Sequence, residues 1–453
     1  MARRFMICCD MFEQHFLIHG HDQSHHARHY LSGLLGTQRR KNLERIEADV
    51  AESDYEGMQQ FISNSPWDHR AVMRQVADRA EAALGGAEDT ALYVDETAFV
   101  KKGTASVGVQ RQYCGRLGKL ENCQVGVFAA LGCGSRTTLV DFRLFLPEAW
   151  AQDAARCAKV RVPEAERVHR TKTELALAMV QAARARGSSH RWIGGDEVYG
   201  NNHAFTMALD DLGEVFLMDV ASNLRVWTAN PCPPIAPVES AGRGRPRVRL
   251  QAQPGVEAVK VEALAGRHFA TEARQLEIRH TTKGALRARI WVRQVWGWDG
   301  EAPTARARLL VVRQEADGTF KYSLSNAAAD TPWERLAYMQ AQRFWIERGF
   351  QDAKSELGMA QYEVRGWVGW HHHIALVCLA LLFLLEERQR VHPQVPLLSA
   401  RDIVELLAIY LPRRPRDETE VLRQMQRRHA ARQRDLDLHR FSSSSAPTQF
   451  LPK

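Results

Sequence analysis

Two aspartates in this sequence follow short apolar runs that predict buried β-strands. Asp95 follows Leu92 to Val94, and Asp196 follows a run from Trp192 whose two glycines leave space for a close approach. Ligand sites in α/β sheets lie at strand ends, where side chains leave the packed core. Without a cation, two carboxylates about 4 Å apart repel by roughly 4 kcal/mol at an effective dielectric near 20. The pair therefore indicates Mg²⁺ or Mn²⁺, although either aspartate alone would equally well cap a helix or pair with an arginine.

A helical segment later in the chain carries a third acid, Glu347. Steps of four and seven residues place Arg343, Glu347 and Lys354 on one helix face. Glu347 would complete a metal site whose cations contact a phosphate. From the spacing alone, an exposed helix with an Arg–Glu–Lys ion ladder is the stronger interpretation, worth roughly a few tenths of a kcal/mol per pair.

The bulk composition favours a folded protein of two or three domains with a polyanionic partner. The chain has 453 residues and a net charge of +8, which does not distinguish DNA from RNA or an anionic membrane. Its eight cysteines lack C-x-x-C spacing, so we expect reduced thiols in a cytosol and no zinc site. The longest apolar run, residues 374–385, is too short to span a membrane and predicts a buried core helix. No signal peptide is expected at the N-terminus.

The periodicity of apolar residues divides the chain into five regions. Residues 1–88 predict a helical N-terminal domain, a plausible DNA-binding unit, and residues 89–221 alternate strands and helices as in a mixed α/β sheet. Residues 222–332 predict a β-rich insertion, and residues 333–390 return to helices. Residues 391–453 predict a basic helical region with a disordered Ser-rich tail.

Three groups of basic residues are candidate DNA contacts. Arg287 and Arg289 alternate with apolar residues on a predicted strand of the insertion, which indicates a basic face. Arg243 and Arg245 lie in a Gly-Arg-Gly-Arg-Pro segment that resembles the core of an AT-hook, a minor-groove binder, though a flexible basic loop is equally plausible. The pair Lys101–Lys102 follows the first strand, and its assignment to a DNA channel depends on proximity to Asp95 alone.

Three sequence segments resemble the insertion-sequence transposases with a DDE-type, ribonuclease H-like core. They are YVDETAFVKKGTASVGVQRQYCGRLGKLENCQVGV (93–127), GGDEVYG (194–200) and FWIERGFQDAKSELGMAQYEVRGWVGWHHH (344–373). The resemblance covers most of the chain and implies an α/β ribonuclease H-like core interrupted by the β insertion. It implies that Asp95, Asp196 and Glu347 are catalytic and hold two Mg²⁺ or Mn²⁺ ions, with Arg343 and Lys354 binding phosphates at the cut.

One position departs from the family pattern. The family has a tyrosine shortly before the arginine, whereas this chain has Gln340 there and Tyr338 two residues away. This difference concerns one phosphate or DNA-end contact and leaves the metal site intact.

The resemblance implies a transposase that cuts and joins DNA. Its partners would be double-stranded DNA, both the terminal repeats of the element and the target, with at least a dimer on DNA and no membrane. We expect it in the cytoplasm, at the nucleoid. Two alternatives stay open: a nuclease of similar fold that only hydrolyses, and a catalytically silent DNA-binding regulator derived from a transposase.

Overall fold

The computed structural model describes residues 1–237, 249–281, 284–391, 394–395 and 398–444. The predicted DNA contacts Arg243 and Arg245 lie outside the described residues, as do residues 445–453 of the predicted disordered tail. The start of that tail, Ser442 to Ser444, belongs to a helix, so the helix ends later than the serine-rich composition predicts.

The N-terminal region is mainly helical, as its periodicity predicts. Its longest helix begins after Asp68, whose side chain caps the helix by accepting the amide hydrogen of Arg70, and buries Val72, Val76 and Ala80 on one face. The elements are α1 (Ala2–Asp10), a 3₁₀ helix (Glu13–Phe16), β1 (Leu17–Ile18), β2 (His21–Asp22), α2 (Ser24–Leu34), α3 (Leu43–Asp49), α4 (Tyr55–Ser63) and α5 (His69–Leu84).

Strands and helices alternate in the next region. Its first strand is buried from Ala91 to Asp95, as expected for the centre of a sheet covered on both faces. The elements are β3 (Ala91–Val100), β4 (Gln110–Cys114), a 3₁₀ helix (Gly115–Leu117), β5 (Lys119–Cys133), β6 (Arg136–Leu144), α6 (Glu148–Ala151), α7 (Ala154–Lys159), a 3₁₀ helix (Glu164–Glu166), α8 (Lys172–Ala185), β7 (Trp192–Gly195), α9 (Glu197–Gly200), α10 (His203–Asp211) and β8 (Phe216–Asp219).

The central part of the sheet has the strand order β6-β5-β3-β7-β8. β5 runs antiparallel to β3, and β7 and β8 run parallel to it. This is the ribonuclease H-like arrangement, so the predicted fold class is confirmed. β3 pairs with β7 only from Ala91 to Tyr93 and then continues along β5 to Val100. Asp95 was expected at the end of a strand; it lies instead where β3 parts from β7.

The insertion extends this sheet on its β8 side. β14 pairs antiparallel with β8, and the further strands follow in the order β14-β13-β12-β9-β10, with β11 also on β12. A helix, α11, lies within this region, which the sequence predicted to be β-rich. The elements are β9 (Arg225–Trp227), β10 (Ala258–Lys260), α11 (Val261–Glu272), β11 (Arg274–Thr281), β12 (Gly284–Trp298), β13 (Pro303–Gln314) and β14 (Phe320–Ser325).

Helices form the rest of the described chain. The helix predicted from Trp333 to Lys354 is broken at Arg343 into two. The longest apolar helix, α14, could cross a membrane by length and composition, yet 94% of its most apolar window is buried inside the protein, as in a core helix. The elements are α12 (Trp333–Gln342), α13 (Phe344–Ser355), α14 (Trp367–Val391), α15 (Ala400–Tyr410) and α16 (Glu418–Ser444).

Candidate active site

One cleft contains all five residues that the sequence singled out for chemistry. Asp95, Asp196 and Glu347 line it together with Arg343 and Lys354. Its volume is about 960 Å³, and its walls come from β3, the start of α9 and one side of α13. Elements far apart in sequence therefore bring the three acids to one concave surface, the usual location of a binding site.

Asp95 is the most buried of the three acids, with 9% of the residue exposed. Its Oδ1 accepts the amide hydrogen of Glu96 at 2.7 Å. Burial and then the neighbouring carboxylate of Asp196 raise the pKa of Asp95 to about 8, against the opposing charge of Arg343. Near neutral pH this carboxyl is therefore protonated unless a further cation reaches it.

Asp196 begins α9 directly after β7. Its Oδ1 accepts the amide hydrogen of Val198 at 2.9 Å and caps this short helix, which is one of the two alternatives left open by the sequence. A Cβ at Gly194 would come within 2.5 Å of the Tyr93 ring, so the strand before Asp196 packs too closely on β3 for a larger residue. Burial and then the Glu96 carboxylate raise the pKa of Asp196 to about 6.

Arg343 connects the acids of the cleft. Its Nη2 lies 2.9 Å from Glu347 Oε1, its Nη1 lies 3.9 Å from Asp95 Oδ2, and its Nε donates to Asp219 Oδ2 at 2.9 Å. Burial lowers the pKa of Arg343, but the carboxylates of Asp219, Asp95 and Glu347 outweigh this and raise it. The Arg343–Glu347 contact is one of the ion pairs that the helical spacing of Arg343, Glu347 and Lys354 predicts.

Lys354, at the other end of α13, contacts β3. Its ammonium donates to the hydroxyl of Thr97, two residues beyond Asp95 on β3. This contact joins the C-terminal part of α13 to the strand that carries the first acid. Lys354 thus places a positive charge on the same wall of the cleft as the carboxylates.

Four further predicted DNA contacts belong to the described residues, and these lie outside the cleft. Lys101 packs its ammonium 3.4 Å from the centre of the Tyr362 ring and donates to the Tyr362 carbonyl, and Lys102 is exposed. Arg287 pairs with Glu277 at 3.2 Å, and Arg289 donates to the carbonyls of Phe269 and Ala270 in α11. Arg289 is thus partly used to hold α11 on the sheet, which reduces the basic face predicted for this strand.

Sequence reasoning missed two residues that contact the charged groups of the cleft, Asp219 and Lys172. Asp219 ends β8 after an apolar run, Phe216 to Met218, and so carries the same signal as Asp95 and Asp196. Lys172, at the start of α8, lines the cleft and pairs with Glu96 at 2.7 Å, while the Tyr199 hydroxyl donates to the other Glu96 oxygen. No local pattern distinguishes Lys172 from other lysines in a first helical turn.

The donor chemistry of the cleft fits a hard divalent cation. Its acids offer oxygen ligands, and burial raises the pKa values of Asp95 and Asp196, so a bound cation would favour their charged forms. In the part of the chain that the structure describes, no three His, Cys, Asp or Glu side chains form a group ready to hold a metal ion. Glu347 is paired with Arg343 instead, and 51% of its side chain is exposed.

Comparison with known proteins places this chain in a family. A curated relative from Microchaete diplosiphon, named "Probable transposase for insertion sequence element IS701", is 28% identical over 193 residues. The alignment covers 42% of this chain and 47% of the relative, so the chain spans about half the length of the protein it matches. The profile of the family described as "DDE superfamily endonuclease" matches residues 12–285, more than half of the chain, with both Asp95 and Asp196 inside the match. This chain therefore belongs to the DDE superfamily endonucleases.

Proposed function

We propose that this protein is a transposase that cuts and joins DNA at the ends of an insertion sequence. The observation that carries the proposal is the convergence of Asp95, Asp196 and Glu347 in one cleft of a ribonuclease H-like sheet. Membership of an endonuclease family and similarity to a relative named as a probable insertion-sequence transposase support it. Asp95, Asp196 and Glu347 are the proposed catalytic acids.

The proposed cofactor is a pair of Mg²⁺ or Mn²⁺ ions held by Asp95 and Asp196, with Glu347 as the third ligand. When bound, such ions activate a water or 3′-hydroxyl nucleophile and stabilise the leaving 3′ oxygen. Glu347 has to share or break its 2.9 Å contact with Arg343 to join them. The Nη groups released from Glu347 would then donate to a phosphate while Asp219 still holds Nε, and Lys354 supplies a second positive charge on the same wall.

The proposed substrate is double-stranded DNA. The net charge of +8 favours a polyanion, and the cleft has about 960 Å³ of open volume for a strand. Because both ends of an element are cut together, we propose at least a dimer on DNA, working at the nucleoid in the cytoplasm. The five regions bounded at residues 88, 221, 332 and 390 remain our proposed division into domains.

The test is cleavage of the element's terminal DNA by the purified protein in Mg²⁺, with products sized on a denaturing gel. We expect Asp95→Asn, Asp196→Asn and Glu347→Gln to abolish cleavage while end binding stays within about twofold of wild type. Asp330→Asn is the matched control, because Asp330 is exposed and lies outside the cleft. Normal cleavage by any one of the three variants removes that residue from the site.

A second assay separates the proposal from its alternatives. A pre-cleaved end with a free 3′-hydroxyl is incubated with target DNA and Mg²⁺. A transposase joins the two, whereas a nuclease of the same fold nicks DNA and joins nothing. A protein that binds the ends but neither nicks nor joins them is the silent regulator.

A further inference from the structure

An exposed apolar patch lies on the hairpin formed by β4 and β5, beside the catalytic cleft. Tyr113 is 60% exposed, Leu120 is 59% exposed and Leu117, in the turn between the strands, is 41% exposed. Contiguous exposed apolar patches mark interaction sites, whereas single exposed apolar residues need no explanation. We refer to these three residues as the hairpin patch.

The strand register places two residues of the patch, Tyr113 and Leu120, on one face of the hairpin. Tyr113 and Leu120 are directly opposite each other in the antiparallel pair, so their side chains lie side by side. Cys114 and Cys123 are fully buried and pack with Val125 below the hairpin. The hairpin is therefore anchored by its own small core, and the exposure of Tyr113 and Leu120 is not needed to hold it in place.

The patch continues into the site described above. Tyr113 and Gly115 line the same cleft as Asp95 and Glu347. The turn itself is open to solvent, because a Cβ built at Gly115 or at Gly118, which has φ +61°, would meet no atom within 4 Å. The hairpin thus forms part of one wall of the cleft.

The charges around the patch suit a nucleic acid. Arg111 is exposed two residues before Tyr113 and therefore shares its face of the strand. Lys119 is opposite Cys114 in the pair and so belongs to the other face of the hairpin, where it lies 3.4 Å from Glu121. An aromatic ring and an aliphatic side chain beside an arginine can stack on a base while the arginine binds an adjoining phosphate.

We propose that the β4–β5 hairpin separates DNA bases next to the cut, with Tyr113 and Leu120 taking up a nucleobase that has left the helical stack. This inference rests on the proposed function, because it assigns the occupant of the cleft as a DNA strand. The hairpin would open the duplex at the position where the phosphate enters the group of carboxylates. Apolar side chains that enter between base steps unstack DNA in this way.

A second copy of this chain is a weaker candidate for the occupant. Each partner in a standard protein interface buries about 800 Å², and three partly exposed side chains on a two-stranded ribbon present far less. A protein partner would also have to leave the mouth of the cleft open for substrate, whereas a DNA strand in the cleft passes Tyr113 directly.

The first experiment tests contact without catalysis. Terminal DNA of the element carries 5-iodouracil at the positions flanking the cut and is irradiated with the full-length protein in EDTA, where the strand stays intact. We expect a crosslink at Tyr113, located by mass spectrometry, that is kept by Tyr113→Phe and lost in Tyr113→Ala. Crosslinks confined to residues outside the hairpin would overturn the proposal.

The second experiment tests the consequence for cleavage in Mg²⁺. The double variant Tyr113→Ala, Leu120→Ala should cleave fully paired ends about tenfold more slowly or worse, the effect expected from losing a base stack. A substrate with mismatched bases beside the cut should restore its rate, because those bases are already unstacked. The matched control is Ile409→Ala, Tyr410→Ala, which removes an equally exposed pair from α15, 72% and 66% exposed.

The possible outcomes separate this proposal from the proposed function. Equal cleavage of paired ends by wild type and the hairpin double variant overturns the hairpin proposal alone. A change in the oligomeric state of the DNA-free protein in that variant also overturns it, in favour of a second copy. If wild type cleaves no terminal DNA, the proposed function fails, and the crosslink in EDTA still decides whether the hairpin contacts bases.

Discussion

The guanidinium of Arg343 is the most connected group in the candidate site. It lies 2.9 Å from both Asp219 and Glu347 and 3.9 Å from Asp95. Asp219 in turn accepts the Ser323 hydroxyl at 2.6 Å, and Gln340 donates to the same hydroxyl at 2.8 Å. Arg343 is thus held by Asp219 on one side, which orients its remaining N–H groups toward the cleft. Because a lysine lacks this fork, it would not replace Arg343.

Asp219→Asn should weaken this arrangement without changing its shape. The amide keeps an acceptor for Ser323 but removes the charge that faces Arg343, so we expect the free energy of unfolding to fall by about 1–2 kcal/mol. Cleavage should slow while affinity for terminal DNA stays near wild type. Urea unfolding and single-turnover cleavage measure the two effects, with the exposed Asp317→Asn as control. A variant that cleaves at the wild-type rate would show that Asp219 does not orient Arg343.

The buried acids predict that the metal-free protein loses stability as pH rises. Asp95 has a pKa of about 8 in the folded protein against about 3.8 when unfolded, so between these values the folded state holds a proton that the unfolded state has released. Stability therefore falls by up to about 1.4 kcal/mol per pH unit across that window. Asp196, at about 6, adds to the slope below pH 6.

The variant Asp95→Asn tests whether the stability of the metal-free protein falls as pH rises. In EDTA the variant should match wild type near pH 4 and become progressively more stable than it up to about pH 8, because the amide carries no charge to bury. Mg²⁺ should stabilise wild type at pH 8 and have little effect on the variant. Chemical denaturation at a series of pH values measures both. A constant difference between the two proteins across the range would rule out Asp95 as the titrating group.

At the scale of elements, the contact between α9 and β8 fixes two of the acids. Gly200 ends α9, and a Cβ there would lie 2.0 Å from the carbonyl oxygen of Asp219 and 3.0 Å from the Cβ of Met218. Neither atom belongs to a flexible side-chain end. A side chain at this position must therefore move α9, which Asp196 caps, away from the end of β8, which carries Asp219.

Gly200→Ala should consequently damage both stability and cleavage. We expect a loss of about 1–3 kcal/mol, the usual cost of overpacking, and slower cleavage with terminal DNA still bound. Gly266→Ala is the control, since Gly266 lies inside α11 with nothing within 4 Å of its built Cβ and should gain up to about 1 kcal/mol from helix propensity. Thermal unfolding measures the stability of both variants. If Gly200→Ala were as stable as Gly266→Ala, the close packing of α9 on β8 would be contradicted.

Elements with strong local signals were predictable from the sequence. Asp68 and Gly85 flank α5 as its N-cap and C-cap, and the apolar run before Asp95 gave β3. The break at Arg343 and the pairing of β14 with β8 depend on contacts between distant segments, which the spacing of apolar residues does not predict. Asp219 follows an apolar run, as Asp95 does, so its position at the end of a strand was predictable. The three acids in one cleft followed from the family resemblance, because spacing alone favoured an ordinary exposed helix.

At the scale of the whole molecule, ion pairs hold the described part of the C-terminal region against the N-terminal helices. Arg413 pairs with Asp49 at 3.0 Å, and Arg427 pairs with Glu47 at 2.8 Å, so the arginine-rich C-terminal region packs on α3. Lys41, 4% exposed, donates to the carbonyls of Leu34 and Glu356 and so joins the ends of α2 and α13. The N-terminal helices are thereby attached to the helix that carries Glu347.

These contacts divide the positive charges of the protein into two functional classes. Arg413 and Arg427 pair with Asp49 and Glu47 of α3 and do not line the cleft. Lys354 and Arg343 face the cleft, where a DNA strand would displace or share their present contacts. The net charge of +8 is therefore a poor measure of how many phosphates are bound.

The salt dependence of DNA binding separates the two classes. Lys354→Ala should reduce the slope of log affinity against log salt by about 0.9, the contribution of one neutralised phosphate. Arg427→Ala should leave that slope unchanged and lower the free energy of unfolding by roughly 0.2–1 kcal/mol, since its ion pair with Glu47 is only partly screened from solvent. Titrations of terminal DNA at several salt concentrations, paired with urea unfolding, measure both. An equal reduction of the slope by Arg427→Ala would mean that the C-terminal region leaves α3 and binds DNA itself.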